Sequence, residues 1–135
     1  MDKEKVLTLL NKALSMEYAD VFLYQRHVDY FKNYPGLGDL FKNFSQMENK
    51  HADILSKEIL RLGGEPVLNI QIPAGRKDIR EIVRFHLANE EGAIEHYRRC
   101  SSLIDTDDRL KDLIDKIRIE EAIHAAALKQ LLKLK

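Results

Sequence analysis

Two segments of the chain carry the same pair of metal-capable side chains at the same spacing, Glu48-Asn49-Lys50-His51 and Glu121-Ala122-Ile123-His124. Positions i and i+3 of a helix share one face, with Cβ atoms about 5–6 Å apart, so each carboxylate and imidazole can close on one ion. Two such pairs point to two ions. A glutamate stands 31 residues ahead of each pair, Glu17 before Glu48 and Glu90 before Glu121, so the whole unit repeats with a period of 73 residues. Tyr24 and Tyr97 obey that period, as do Val21 and Ile94, and Leu55 and Leu128. The repeat describes one helical hairpin written twice.

Four carboxylates and two imidazoles at helix seams need partners. An unpaired buried charge costs several kcal/mol and tends to neutralise itself by shifting its pKa. No lysine or arginine falls on these seams, whereas two divalent cations would balance four carboxylates beside neutral histidines. Oxygen and nitrogen donors without thiolate favour iron, manganese or zinc. One Glu from each of two helices and Glu-x-x-His from each of two others is the di-iron or di-manganese carboxylate arrangement. Metal ligands are therefore expected at Glu17, Glu48, His51, Glu90, Glu121 and His124.

Nearby residues are weighed against these six. Glu91 lies about 100° further round its helix than Glu90 and breaks the register. Glu120 yields to Glu121, which alone has His124 at i+3. His86, one turn before Glu90, reads as a packed or hydrogen-bonded core histidine, since its repeat partner is Ala13. His27 and His96 fall toward the seam edge or outside it. Tyr24 and Tyr97 are core aromatics whose hydroxyls need partners; either can donate to a ligand glutamate or take part in local redox chemistry, and Tyr24 joins the six as a site residue.

The elements that must position these groups are four long helices, over about 3–33, 38–62, 78–104 and 108–134. The first has Leu10, Leu14, Val21, Val28 and Phe31 three or four residues apart, with Glu17 and Tyr24 completing the series. Pro35-Gly36 is expected to stop it and Gly38 to close the turn. Phe41, Phe44, Leu55, Ile59 and Leu62 flank Glu48 and His51 on the second, which ends at Gly63-Gly64. Residues 63 to about 77 form a proline- and glycine-punctuated connection, long enough to return the chain end to end and leaving room for a short extended piece at 67–72. Ile79, Val83, His86, Ala93, Tyr97, Cys100 and Ile104 share the third stripe with Glu90. Leu110, Ile114, Ile117, Leu128 and Leu131 share the fourth with Glu121 and His124. Thr106-Asp107-Asp108 supplies its N-cap candidates. The expected fold is all-α, a four-helix bundle in one domain over 1–135 with one crossover between helices two and three.

Composition narrows the class of partner. The 22 basic and 22 acidic residues leave no net charge, so the long-range attraction toward nucleic acid is missing. No apolar run approaches about 18 residues, and the start, Met1-Asp2-Lys3-Glu4-Lys5, lacks a signal-peptide core, so a cytoplasmic protein with no membrane partner is expected. The single cysteine, Cys100, excludes an internal disulfide and reads as a small buried thiol.

At these residues the sequence resembles the bacterioferritin branch of the ferritin-like superfamily, across nearly the whole chain. Met16-Glu17-Tyr18, Tyr24, His27 and Phe31-Lys32-Asn33 look like that family's first helix. The run Glu48-Asn49-Lys50-His51-Ala52-Asp53 through Glu58-Ile59-Leu60-Arg61-Leu62-Gly63-Gly64-Glu65-Pro66 is similar to its second helix and following loop. The resemblance implies that Glu48 and Glu121 bridge two irons, with Glu17 and His51 terminating one and Glu90 and His124 the other. It implies a ferroxidase that converts two Fe2+ to Fe3+ with O2 or H2O2, in iron homeostasis and detoxification. The alternatives are an iron-storage cage subunit, or a rubrerythrin-like peroxidase or oxidase. Asn49 stands where the branch carries its haem-ligating methionine, with Met47 just ahead of Glu48, so no haem is expected by that mode. Eleven residues follow His124, so the short fifth helix is expected to be lacking and the partner to be a second copy, as a homodimer or larger homo-oligomer. Rubrerythrins add a carboxylate one turn after the third-helix glutamate, where this chain has Ala93 or Ile94.

Overall fold

The computed structural model describes residues 1–75 and 78–133. Helix α1 spans Lys3–Val28 and runs into a single 3-10 turn at Asp29–Phe31; α2 spans Pro35–Arg61, α3 Ile79–Ser102 and α4 Asp108–Lys133. Residue 134, expected in the last helix, lies outside the described residues. Three helix starts are capped by aspartates accepting from the amide three residues on: Asp2 from Lys5 at 3.2 Å, Asp78 from Glu81 at 3.0 Å and Asp107 from Leu110 at 3.1 Å.

The first connection differs from expectation. The first helix was to reach about residue 33 and Pro35-Gly36 to stop it; instead α1 ends at Val28, and Pro35 opens α2. Proline's missing N–H costs nothing in a first turn, where amides have no intrahelical acceptor, and its fixed φ suits that position. Gly38 is likewise inside α2, its N–H donating to the Tyr34 carbonyl at 3.0 Å. The other end of α2 follows the sequence. Gly63 takes φ 84°, its N–H donates to Leu60 and the Gly64 N–H to Ile59, the paired bonds of a left-handed helix terminus.

Two contacts gather chain ends at one end of the bundle. The terminal amine of Met1 lies 3.1 Å from Asp105, and Arg61 donates to Asp107 at 2.7 Å. At the other end Arg80, near the start of α3, donates to the Leu132 carbonyl at 3.1 Å. The order is thus up, down, down, up, with an end-to-end crossover between α2 and α3. Its residues 76 and 77 lie outside the described set. The piece at 67–72 is no strand, and none occurs among the described residues. Side chains of α1 take the place of a partner strand: Asn11 accepts from Val67 N–H at 2.7 Å and Ser15 from Asn69 N–H at 2.9 Å, while Arg26 donates to the Pro73 carbonyl at 3.0 Å.

Two apolar clusters fill the bundle. One holds Leu10, Leu14, Leu55, Ile59, Ile104, Leu110 and Ile114; the other holds Tyr24, Phe31, Phe41, Phe44, Ile82 and Leu128. The six glutamates and histidines lie between them in sequence register on every helix, so each end of the polar belt is plugged. Cys100 is buried as expected, and burial pushes its thiol up to about 12. The α1 seam departs in one respect: Val21 is half-buried, while Asp20 and His27 take the buried positions. No helix among the described residues is long and apolar enough to cross a membrane.

Candidate metal centre

The six residues meet at mid-bundle. Glu17 comes from α1, Glu48 and His51 from α2, Glu90 from α3, Glu121 and His124 from α4; all are buried. They form two groups, Glu17-Glu48-His51-Glu121 and Glu48-Glu90-Glu121-His124, in each of which one ligand-capable atom per residue lies within 4.8 Å of the others. Glu48 and Glu121 belong to both. Each imidazole turns Nδ1 into the carboxylates. His51 Nδ1 is 3.1 Å from Glu121, 3.4 Å from Glu48 and 3.5 Å from Glu17, and His124 Nδ1 is 2.8 Å from Glu90, 3.4 Å from Glu48 and 3.7 Å from Glu121.

Whether metal ions suit these residues is tested by their unused bonding capacity. Both oxygens of Glu48, both of Glu121, one each of Glu17 and Glu90, and both ring nitrogens of His51 are sealed from water without a hydrogen bond. Buried polar atoms are ordinarily satisfied, so this many orphans facing one another mark the places of missing partners. Among the described residues no lysine or arginine pairs with any of them. Divalent cations fit that deficit in charge, donor type and number.

The electrostatics say the same. Burial, then the neighbouring Glu121 charge, lifts Glu17 to about 7 against the pull of His51 and Tyr97. Burial and the adjacent carboxylates also hold Glu48 and Glu90 well above the ordinary range. Burial would raise Glu121 too, but the nearness of His51 and Glu48 outweighs it and brings it down. His51 is disfavoured as a cation by burial, yet the Glu121 and Glu17 carboxylates close to its ring raise it to about 10; burial drops His124 to about 4. Without metal, protons stand in for cations.

Flanking groups divide into those expected and those missed. Tyr97 donates a short hydrogen bond to Glu17, while the Tyr24 hydroxyl is buried without a partner and its ring stacks on His86 at 4.1 Å. Of the two tyrosines, the glutamate bond belongs to Tyr97. His86 lies in neither ligand group; its Nε2 is 2.8 Å from His27 Nδ1. His27 was placed at the seam edge or beyond and is instead buried; the apolar cluster of Phe41, Phe31 and Ile82 closes around that turn. Glu91 is exposed, 3.6 Å from Lys129. Glu120 is no member of either group, and its carboxylate lies 3.7 Å from His51 Nε2, beyond hydrogen-bond reach. Asp20 was missed altogether. Only 5 % exposed, it adjoins Glu48, and its pKa is raised by burial first and then by Glu17 and Glu121. The available signal was its place three residues after Glu17 and four before Tyr24, on one helix face.

Tyr97→Phe keeps the packing but removes the donor to Glu17. A lost outer-shell bond costs about 10–100-fold in metal affinity. The expected result in a Co2+ titration is one site weakened by that amount and the other unchanged.

Paired carboxylates shared between two cation-sized groups, hung on four helices with one end-to-end crossover, define the metal-carboxylate class of helical bundle. A family model for the ferritin-like domain matches residues 7–135, and the chain belongs to the ferritin-like family. No curated protein matches its sequence.

Proposed function

We propose that the protein is a di-iron ferroxidase of bacterioferritin type, working in the cytoplasm as a homodimer or larger assembly in iron homeostasis. Two Fe2+ ions are its substrates. Each gives up one electron to become Fe3+, and the pair reduces O2 to H2O2 or H2O2 to two waters, taking up two protons in either case. The observation that carries this reading is the sharing of Glu48 and Glu121 between both ligand groups, which holds two ions close enough to act on one oxidant.

In this reading Glu17 and His51 complete one position, and Glu90 and His124 the other. Carboxylates stay with the harder ferric product, so oxidation strengthens their grip. Tyr97 orients Glu17. Bound Fe2+ displaces the protons that Glu48, Glu90 and His51 hold when metal is absent, and these are at hand for the reduced oxidant. Apolar plugs at both ends keep bulk water from the reacting pair.

The test is rapid mixing of metal-free protein with Fe2+ in aerobic buffer, followed by ferric absorbance in the near ultraviolet. Two Fe2+ per chain are expected to oxidise at least a hundredfold faster than in buffer, with the fast phase lost in Glu48→Ala. Equal rates with and without protein would reject the proposal.

A further inference from the structure

Ions must reach a centre whose two ends are closed by apolar side chains, through which a hydrated cation cannot pass without losing its water. The flank between α1 and α3 is different. Beneath Gln71 and Pro73 of the crossover lies a cavity of about 180 Å³, with Met16, Ala19, Leu23 and Phe85 as apolar walls and Asp20 and Asn89 as polar ones. That volume holds several waters, at about 30 Å³ each. Among the described residues no basic side chain lines it. It meets a larger surface cleft of about 530 Å³ along Met16, Ala19 and Gln71, whose wider lining includes Lys12. Asp20 therefore has one side on a solvent-connected cavity, while the other stands one helical turn from Glu17 and close enough to Glu48 and Glu121 to feel their charge.

We infer that Asp20 is the port of this cavity: it draws divalent cations from the cleft under the crossover and hands them to Glu48 and Glu17. Glu17 lies one turn back on the same helix face, so an ion leaving Asp20 meets its next carboxylate without crossing an apolar layer. The roof above is fixed rather than loose, since Asn69 is bonded to Ser15 and Pro73 to Arg26 on either side of it. Asn89 opposite offers a neutral oxygen, suited to a passing ion more than to a held one. The cavity between α1 and α2 at Tyr18, Asn49 and Lys50 is lined by none of the six and not by Asp20.

The inference rests on the centre binding divalent cations and not on the oxidation step, so it is tested with Co2+, whose visible absorption reports binding directly. Asp20→Asn keeps the shape and removes the charge; Ala19→Leu keeps the charge and fills the cavity. Local charge of one sign in a cleft raises association rates about 10–1,000-fold. Each variant is expected to slow Co2+ uptake about tenfold or more while still binding two ions per chain at equilibrium with unchanged affinity. Uptake within twofold of the parent in both variants overturns the port. So does a loss of stoichiometry or affinity in Asp20→Asn without slower uptake, which would make Asp20 a holder of the centre. Normal Co2+ kinetics in the parent without iron oxidation would sink the ferroxidase reading and leave the port standing; no Co2+ uptake at all would sink both.

Discussion

Glu121→Ala and Glu48→Ala are each expected to disrupt both metal positions, whereas Glu17→Ala and Glu90→Ala are expected to spare one. The contrast follows from membership: the first two residues belong to both ligand groups and the last two to one each. A ligand bound only by the folded state stabilises it by about 2.7 kcal/mol at a hundred times its dissociation constant. For a chain of this length, two filled positions amount to a rise in melting temperature on the order of 10 °C or more. The parent is expected to show that rise and two Co2+ per chain. Glu17→Ala and Glu90→Ala should show about half the rise and one tight Co2+, while Glu48→Ala and Glu121→Ala show almost none. Iron oxidation separates the variants less, because every one of them loses the pair. A Glu121→Ala protein that still holds two ions tightly would show that the shared geometry is not shared bonding.

The two-fold repeat made most of this centre legible, and also hid part of it. Glu17, Glu48, His51, Glu90, Glu121 and His124 all recur at 73 residues, and all converge. Asp20 has Ala93 as its repeat partner and His86 has Ala13, so a search by symmetry passes over residues that serve one half of the bundle alone. Val21 shows a second limit. Its apolar side chain made it the natural seam residue, but the seam follows Glu17, Asp20 and Tyr24, with Val21 only half-buried. Hydrophobicity marks a core where the core is dry and uncharged; around a cation cluster the most buried positions are the charged ones. Pro35-Gly36 shows a third. Proline both ends helices and begins them, and only the tight turn after Phe31, with Tyr34 N–H donating to the Phe31 carbonyl at 2.8 Å, decides between the two. The order of the helices was open to a simpler argument, because a connection as long as 63–77 reaches from one end of a bundle to the other.

Raising the pH from 6.5 to 9 is expected to destabilise the metal-free protein markedly and the metal-loaded protein little. Glu17, at about 7 when folded against 4.5 unfolded, still binds more protons in the folded state at the lower edge of that interval, so the last of its stabilisation is lost as pH rises through about 7. Glu48, Glu90 and Asp20 are shifted in the same direction by the same burial. His51, raised from 6.5 to about 10, contributes stability that is complete below 6.5 and is lost as pH climbs through about 10. Two of the six act the other way. His124, lowered from 6.5 to about 4, weakens the fold only below 6.5, and Glu121, lowered from 4.5, contributes stability that disappears only in acid. Above 6.5 both are spent, and every remaining shift lowers stability. At about 1.4 kcal/mol per unit of pKa the loss reaches several kcal/mol, or on the order of 10 °C in melting temperature. Divalent cations replace those protons, so the loaded protein is expected to be nearly flat over the same range and its metal affinity to rise with pH. Calorimetric titration at pH 7 in buffers of different ionisation heat is expected to count about three to four protons released as the centre fills, one each from Glu48, Glu90 and His51 and part of one from Glu17. A metal-free melting temperature that holds level or climbs between pH 6.5 and 9 would mean that the carboxylates are already compensated, and the centre would then have no call for cations.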